Sequence, residues 1–193
     1  TVTERATGRS YQEPYDALVL STGAAPLVPP LPGVDHRCVK VLRTVPDVDA
    51  LRTMVEDGAR RAVVVGAGFI GLEAAEALRH RGLDVTLVEL ADQVLPPLDP
   101  EMALAVQREL TRHGVDVRVS TSLAAIHDEG PGAAARAELS DGTSLTADLI
   151  LLAVGVRPET SLARTAGLEL NERGAVRVDE HLLTSAEHVY AVG

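Results

Sequence analysis

The sequence predicts an α/β fold in which helices cover a parallel sheet, and three features support this prediction. Continuous apolar runs at 62–65 and 149–154 are typical of strands that are buried on both faces. Amphipathic helical stretches alternate with strand-like runs between residues 44 and 119. Short alternating stretches between 123 and 145, joined by glycine-containing turns, indicate a β-meander.

The first elements surround a proline-rich crossover at 26–33. Before it, the run YDALVLSTGAAP at 15–26 matches ADLILLAVGVRP at 147–158 with four identities. Both copies end in small residues and a glycine, and we expect both to be strands buried on two faces. After the crossover, the stretch 44–58 predicts a helix, because a threonine and an aspartate three residues apart form a capping signal and a glycine ends the pattern.

Residues 62–90 carry the most informative motif, a strand, a glycine turn, a helix and a second strand. Gly66 permits the tight turn, and Gly68 lets the backbone approach a pyrophosphate without a Cβ atom between them. Gly71 allows the helix to pack closely on the strand. The helix N-terminus offers free N–H groups and a positive dipole end to phosphates, so the motif predicts a dinucleotide site.

Glu89 ends the second strand of this motif, 18 residues after Gly71. A carboxylate at that place accepts hydrogen bonds from the ribose diol of adenosine. It repels a 2′-phosphate, which would need arginine or lysine just beyond it. The chain instead reads Leu-Ala-Asp-Gln at 90–93 and has no basic residue before Arg108. NADH is therefore favoured over NADPH, and FAD is a third candidate for the motif.

The later elements continue the alternation and then change character. We expect a helix whose apolar residues recur at spacing four, a third parallel strand, the meander in place of another helix, and a return to the sheet. Beyond residue 158 we expect a short helix, a short strand and a buried strand. In order, these elements are 100–113, 115–119, 123–145, 149–154, 160–166, 176–178 and 188–192.

Composition excludes several functions. The net charge of −10 and an aromatic content of 2% argue against a nucleic-acid partner. Cys38 is the single cysteine and is expected in a loop with no redox role, and the six scattered histidines lack ligand spacing, so we expect no metal. No apolar run approaches the length of a membrane span and no signal peptide opens the chain, which predicts a cytoplasmic protein.

Five motifs together resemble the pyridine nucleotide–disulfide oxidoreductases. The resemblance is greatest to the coenzyme A-disulfide reductase and NADH oxidase branch, with the ferredoxin and rubredoxin reductases as near neighbours. It implies a Rossmann-like FAD/NAD(P)-binding fold, a three-layer ββα sandwich with a parallel sheet and a β-meander. The motifs are LVLSTGAAP (18–26), VVVGAGFIGLEAAEAL (63–78), QVLPPLDPEMA (93–103), AVGVRPET (153–160) and VYAVG (189–193).

The resemblance also implies a domain organisation. Residues 26–155 would be an NAD-binding domain, and 1–25 with 156–193 would be segments of the FAD-binding domain that it interrupts. We expect the chain to be a piece of a longer, homodimeric enzyme, because it starts without methionine and stops directly after a strand. The first FAD fingerprint and the redox cysteine would lie upstream of it. The isolated chain is expected to bind NADH weakly and to turn nothing over, and it holds no predicted catalytic residue.

The resemblance adds residues to the helix side of the site. Phe69 and Ile70 follow the second glycine, and Phe69 would shield the flavin until the nicotinamide displaces it. Ordinary packing between helix and strand is the alternative for Phe69. Glu73 would lie near the nicotinamide and a lysine of the FAD domain, although an acid in the first helical turn is also stabilised by the helix dipole.

The two glycine exits complete the predicted site. Val154 and Gly155 would lie beside the nicotinamide nucleotide, and Thr22 and Gly23 would approach FAD. Ser21 stands where the family usually has alanine, and Glu159 where it often has asparagine, so a contact from the Glu159 side chain is in doubt.

The parent enzyme is expected to be an FAD-dependent oxidoreductase that passes hydride from NADH to flavin. Electrons would then reach a small-molecule substrate, either a disulfide such as coenzyme A disulfide or dioxygen. Two alternatives stay open. One is an electron-transfer flavoprotein of the ferredoxin or rubredoxin reductase type, and the other is a non-catalytic module that senses nicotinamide nucleotides.

Overall fold

The computed structural model describes residues 1–130 and 132–193. The chain divides into two compact units, a larger one of residues 26–156 and a smaller one of residues 1–25 and 157–193. The assignment of these units to NAD- and FAD-binding domains stays a prediction. Within the described ranges, no helix is long and apolar enough to cross a membrane.

The described residues form short strands in both units and three long helices in the larger one. The strands are β1 (Val2–Thr3), β2 (Ser10–Tyr11), β3 (Leu18–Leu20), β4 (Ala24–Pro26), β5 (Val39–Val41), β6 (Arg61–Val65), β7 (Asp84–Val88), β8 (Val115–Arg118), β9 (Leu123–His127), β10 (Ala135–Leu139), β11 (Ser144–Ala147), β12 (Leu149–Leu152), β13 (Val156–Pro158) and β14 (Val189–Ala191). The helices are α1 (Val45–Glu56), α2 (Phe69–His80), α3 (Pro100–Arg112) and α4 (Ser161–Thr165).

A five-stranded parallel sheet of order β5-β12-β6-β7-β8 is the centre of the larger unit. Successive side chains of β6 alternate between two apolar cores, so Val64 packs with residues of α2 while Val63 and Val65 pack with the meander. The same alternation in β12 places Leu151 in the first core and Ile150 in the second. This two-sided burial explains the unbroken apolar runs and confirms the predicted parallel sheet.

The meander covers one face of this sheet. Strands β9, β10 and β11 pair antiparallel in the order β11-β10-β9. Their inward side chains, such as Ala137 and Leu139, join the core formed with the sheet. The helices lie against the opposite core. The layers are therefore meander, sheet and helices, which confirms the three-layer ββα prediction.

Local sequence determines where the helices begin. At α1, the Thr44 backbone N–H donates to the Asp47 carboxylate at 2.7 Å, which completes the predicted capping box. At α3, Asp99 is the N-cap and Pro100 takes the first helical position, where its missing N–H costs nothing. Helix α3 ends one residue before the predicted boundary at His113.

Two expectations for strands are corrected by the structure, and some strands that it contains were not predicted. Strand β3 is not buried on both faces: Val19 is 58% exposed, because β3 pairs with β14 alone among the described strands and its core is small. Residues 176–178 form no strand, since Val176 makes a single bridge to Leu170. A strand that was not predicted, β5, forms an edge of the parallel sheet immediately after Cys38.

Cys38 lies in the turn directly before β5, as the sequence predicted, and its side chain is buried. It is 4% exposed, and its carbonyl accepts the N–H of Ile150 at 2.9 Å. Burial raises the pKa of the Cys38 thiol to about 11. A thiol in this environment is unreactive near neutral pH, so Cys38 serves the packing of the sheet.

We expect replacement of Asp148 by asparagine to lower the free energy of unfolding by about 2 kcal/mol. The Asp148 carboxylate accepts the backbone N–H groups of Arg60 and Arg61 at 3.1 and 2.9 Å, and it pairs with the Arg61 guanidinium at 2.9 Å. Asparagine keeps one acceptor oxygen but replaces the other with an N–H₂ group, which would face at least one of these donors. Denaturant unfolding measures the loss, and Asp116→Asn, an exposed aspartate on β8, is the control with a change within about 0.5 kcal/mol.

The loss at Asp148 depends on pH. The hydrogen bond from Arg61 holds the pKa of the Asp148 carboxyl below its ordinary value. This stabilisation is complete above the ordinary aspartate pKa of about 3.9 and disappears as the pH falls through the lowered folded-state pKa. The difference between wild type and Asp148→Asn is therefore constant near pH 7 and narrows below about pH 4. A difference that stays constant down to acid unfolding would contradict this.

Candidate dinucleotide-binding site

A cleft of 640 Å³ opens in the larger unit where β6, β7 and β12 end. Ligands of open parallel sheets bind at this carboxyl edge of the strands. Among the lining residues are five that the sequence predicted, from the glycine turn, the end of β7 and the later glycine exit. They are Gly66, Gly68, Glu89, Val154 and Gly155.

The first and third glycines are required by internal packing. Gly66 has φ +101°, and a Cβ atom there would lie 2.4 Å from the Ala153 carbonyl oxygen. Gly71 is buried in α2, and its Cβ would lie 1.8 Å from the Gly66 carbonyl oxygen. The turn and the first turn of α2 are therefore in backbone contact, as the sequence motif indicates.

Gly68 differs from the other two glycines. Its φ of −77° suits any residue, and a Cβ there would meet no protein atom within 4 Å. It is the N-cap of α2, where the first N–H groups of a helix lack intrahelical partners. Nothing in the folded chain requires glycine here, so the open space beside Gly68 is where a phosphate can approach the backbone.

Glu89 follows β7 at the edge of the cleft. One carboxylate oxygen accepts the backbone N–H of Ala67 at 2.6 Å, and the other accepts that of Ala91 at 2.8 Å. Two ionised oxygens have about four acceptor positions, so Glu89 retains the capacity to bind hydroxyl groups. The neighbouring Leu90 is 74% exposed and carries no charge.

Three predicted site residues at the start of α2 do not line the cleft. Phe69 is 67% exposed and lies in neither apolar core, which contradicts the alternative that it packs between helix and strand. Ile70 is also exposed. Glu73 is exposed and lines a separate groove with residues of α2 and α3. The roles of these three residues toward nicotinamide and flavin stay predictions.

Thr22 and Gly23 belong to the smaller unit. Gly23 has φ +69°, and its carbonyl accepts the N–H of Glu159 at 2.9 Å. The Thr22 hydroxyl donates to the Glu159 carbonyl. The Glu159 carboxylate accepts the Ser161 N–H at 3.0 Å, and hydrogen bonds from Ser161 lower the pKa of Glu159. The Glu159 carboxylate thus binds the first N–H group of α4, whose N-cap residue is Thr160, and the approach of Thr22 and Gly23 to FAD stays a prediction.

Sequence reasoning missed much of the cleft wall. The missed residues come from the proline-rich crossover and from the segments that follow β7 and β8, and the carboxyl-edge rule for parallel sheets could have indicated the latter. The Leu27 N–H donates to the Gly155 carbonyl at 2.9 Å, which holds the crossover beside the glycine exit. The missed residues are Leu27, Pro29, Leu31, Leu90, Pro96, Thr121, Ser122 and Leu123, together with Val65, Val88 and Ala153 at the strand ends.

No group of three or more histidine, cysteine, aspartate or glutamate residues in the described part of the chain has the geometry of a metal site. The cleft is built from glycines, apolar side chains, two hydroxyl side chains and one carboxylate. A parallel sheet that ends in such a glycine turn is the architecture of dinucleotide-binding proteins.

Similarity to known proteins identifies the family of dinucleotide-binding proteins to which the chain belongs. The model of the pyridine nucleotide-disulphide oxidoreductase family matches residues 1–193, and the chain belongs to that family. The NADH oxidase of Methanocaldococcus jannaschii is 43% identical over 96% of this chain and 41% of its own length. Reduced CoADR-RHD of Bacillus anthracis is 42% identical with a TM-score of 0.92, over 99% of this chain and 34% of that one. The chain spans less than half the length of these relatives.

Two further solved structures contain a bound nicotinamide cofactor. The water-forming NADH oxidase of Lactobacillus brevis, bound to NADH, is 28% identical over 98% of this chain and 41% of that one, with a TM-score of 0.89. An engineered NADPH oxidase derived from it is bound to NADPH, with 28% identity, 99% and 42% coverage and the same TM-score. These neighbours confirm the predicted fold class, and the use of NAD(H) and FAD is confirmed for the family.

Proposed function

We propose that the larger unit is the NADH-binding domain of an FAD-dependent oxidoreductase. The observation that supports this most directly is the cleft in which the glycine turn, the start of α2 and the Glu89 carboxylate meet. In this proposal the parent enzyme passes hydride from NADH to flavin and on to a disulfide, such as coenzyme A disulfide, or to dioxygen. The 43% identity to an NADH oxidase supports this reaction class.

The residues of the cleft fit a dinucleotide. The space beside Gly68 would accept the pyrophosphate, and Glu89 would accept hydrogen bonds from the adenosine ribose. Gly155 has φ +111°, and a Cβ there would meet no protein atom within 4 Å, which leaves the backbone open to a flat nicotinamide ring. The apolar walls at Leu27 and Leu123 would exclude water from the bound cofactor.

The protein contributes orientation to the reaction. Hydride chemistry belongs to the bound NADH and FAD. The turn at Gly66–Gly68 would fix the pyrophosphate, and the exit at Val154 and Gly155 would fix the face of the nicotinamide that is presented to the flavin. Phe69, exposed at the start of α2, would shield the flavin until the nicotinamide displaces it.

The smaller unit supports the proposed FAD-binding segments. Its strands β3 and β14 pair in parallel, and their exposed apolar side chains include Val19 and the neighbouring Val192. Apolar strand faces of this kind are normally covered by a further layer. The remainder of an FAD domain would supply that layer in a longer, dimeric enzyme.

The engineered oxidase supports the choice of NADH. Its five substitutions replace one glycine and four residues that follow it. These four are an aspartate 18 positions after the glycine, the two residues directly after that aspartate, and a proline 25 positions after the glycine. This chain has Gly71, Glu89, Leu90, Ala91 and Pro96 at those spacings. The engineered oxidase, with alanine and arginine at the second and third of these places, is bound to NADPH. The acid and the uncharged residue at 89 and 90 are thus in the NADH-type arrangement.

Replacement of Gly68 by alanine tests the proposed site. We expect about a 10- to 30-fold weaker NADH affinity, because the new methyl group takes the space through which a phosphate approaches the backbone. Stability should change by no more than about 0.5 kcal/mol, since the methyl meets no protein atom. NADH fluorescence titration measures the affinity of the full chain, which contains no tryptophan to interfere. The control is Glu76→Ala, an exposed change on α2 outside the cleft.

Two results would overturn the proposed site. One is an absence of NADH binding by the wild-type chain under conditions where it is folded. The other is an unchanged affinity in Gly68→Ala together with unchanged stability, because the pyrophosphate would then bind elsewhere.

A further inference from the structure

Glu89 is held in place before any ligand binds. Its two carboxylate oxygens accept separate backbone N–H groups, from Ala67 inside the glycine turn and from Ala91 in the following loop. The Glu89 backbone is also fixed, because its N–H donates to the Arg118 carbonyl at 2.8 Å and its carbonyl accepts the Thr121 N–H at 2.9 Å. The carboxylate therefore extends from a rigid position at the end of β7.

The Ala67 peptide depends on this carboxylate. Ala67 is fully buried, and its carbonyl accepts the Leu95 N–H at 2.9 Å. Its N–H points to Glu89 and has no other partner among the described residues. If the carboxylate is removed, a buried donor between Gly66 and Gly68 is left unpaired, which is costly.

We propose that Glu89 is a positioning residue for the glycine turn, in addition to any contact with ribose. The carboxylate fixes the peptide between the two glycines, and so holds the pyrophosphate-binding backbone in its bound form before NADH arrives. This inference rests on the proposed NADH function. It differs from a ribose contact in one respect: its effect persists when the ligand has no ribose hydroxyls to bind.

A thermodynamic cycle that combines one substitution in the protein with one change in the ligand separates the positioning role of Glu89 from its ribose contact. NADH and an analogue whose adenosine ribose is 2′,3′-dideoxy are titrated against the wild-type chain and against Glu89→Ala. We expect Glu89→Ala to weaken NADH binding about 100-fold and to weaken binding of the dideoxy analogue about 10-fold, since a charge-assisted hydrogen bond to the turn is lost in both cases. Equal affinity of wild type and Glu89→Ala for the dideoxy analogue would overturn the positioning role.

Amide hydrogen exchange in the ligand-free chain gives an independent reading. In wild type, the Ala67 amide should be protected, and in Glu89→Ala its exchange should accelerate at least about 10-fold while the amides of β6 and α2 keep their protection. Unchanged protection of Ala67 would overturn the inference even if NADH binds. If wild type binds no NADH but Ala67 loses protection in the variant, the proposed function fails, whereas the hydrogen bond by which Glu89 fixes the glycine turn is supported.

Two further variants keep the test specific. Glu89→Gln retains the shape of the side chain but has one acceptor oxygen for the two backbone donors, so we expect the amide of either Ala67 or Ala91 to exchange faster than in wild type. Full protection of both amides in Glu89→Gln would contradict the requirement for two acceptor oxygens. Glu76→Gln removes the same charge from an exposed position and should leave both readings unchanged.

Discussion

The double substitution of Glu89 by alanine and Leu90 by arginine should reverse the cofactor preference of this chain. We expect the ratio of NADPH to NADH affinity to rise by about 10³-fold, which corresponds to about 4 kcal/mol. Removal of the carboxylate takes away both the bonds to the ribose diol and the repulsion of a 2′-phosphate. An arginine in place of exposed Leu90 supplies a planar, permanently charged partner for that phosphate.

Competitive titration of the full chain with NADH and NADPH measures this ratio at fixed ionic strength, because charge pairing at an exposed site is screened by salt. The matched control is Leu90→Arg alone. In that variant the carboxylate remains held by the Ala67 and Ala91 amides and cannot rotate away from the phosphate, so most of the reversal should be missing. A full reversal by Leu90→Arg alone would show that Glu89 does not select the cofactor.

The sequence predicted the sheet more reliably than the burial of each strand. Runs such as 62–65 and 149–152 are apolar at every position, and in the structure both are buried on two faces. Strand β3 has the same pattern, yet Val19 is exposed. Burial depends on which layers pack against a strand, and a single strand's composition does not contain that information. The edge strand β5 was missed because it is three residues long with lysine at its centre.

The site was predictable where its geometry is local. The spacing of Gly66, Gly68 and Gly71 encodes a turn and a helix start, and the structure provides the close contacts that require two of them. The opposite wall was not predictable in the same way, because residues around Leu27 and Leu123 are distant in sequence and reach the cleft only through the strand order. The bonds from Glu89 to backbone amides were likewise invisible in the sequence, since any acceptor at that place would fit the motif.

Substitution of Gly66 by alanine should have the largest effect on stability among the changes considered. We expect the free energy of unfolding to fall by about 3 kcal/mol or more. Part of this arises from φ +101°, which a residue with a Cβ atom rarely adopts, and the rest from the 2.4 Å approach of that atom to the Ala153 carbonyl oxygen. That oxygen is hard to move, because the Ala153 N–H is bonded to Val65 at 2.7 Å.

Gly68→Ala is the matched control for this change, since it adds the same methyl group two residues further along the same turn. Denaturant unfolding should separate the two variants by about 3 kcal/mol, while NADH titration should show weakened binding in both. Gly66 would then be required by the fold and Gly68 by the ligand, although both belong to one sequence motif. Equal stability losses in the two variants would contradict this division, because the open space beside Gly68 would then be filled by the chain itself.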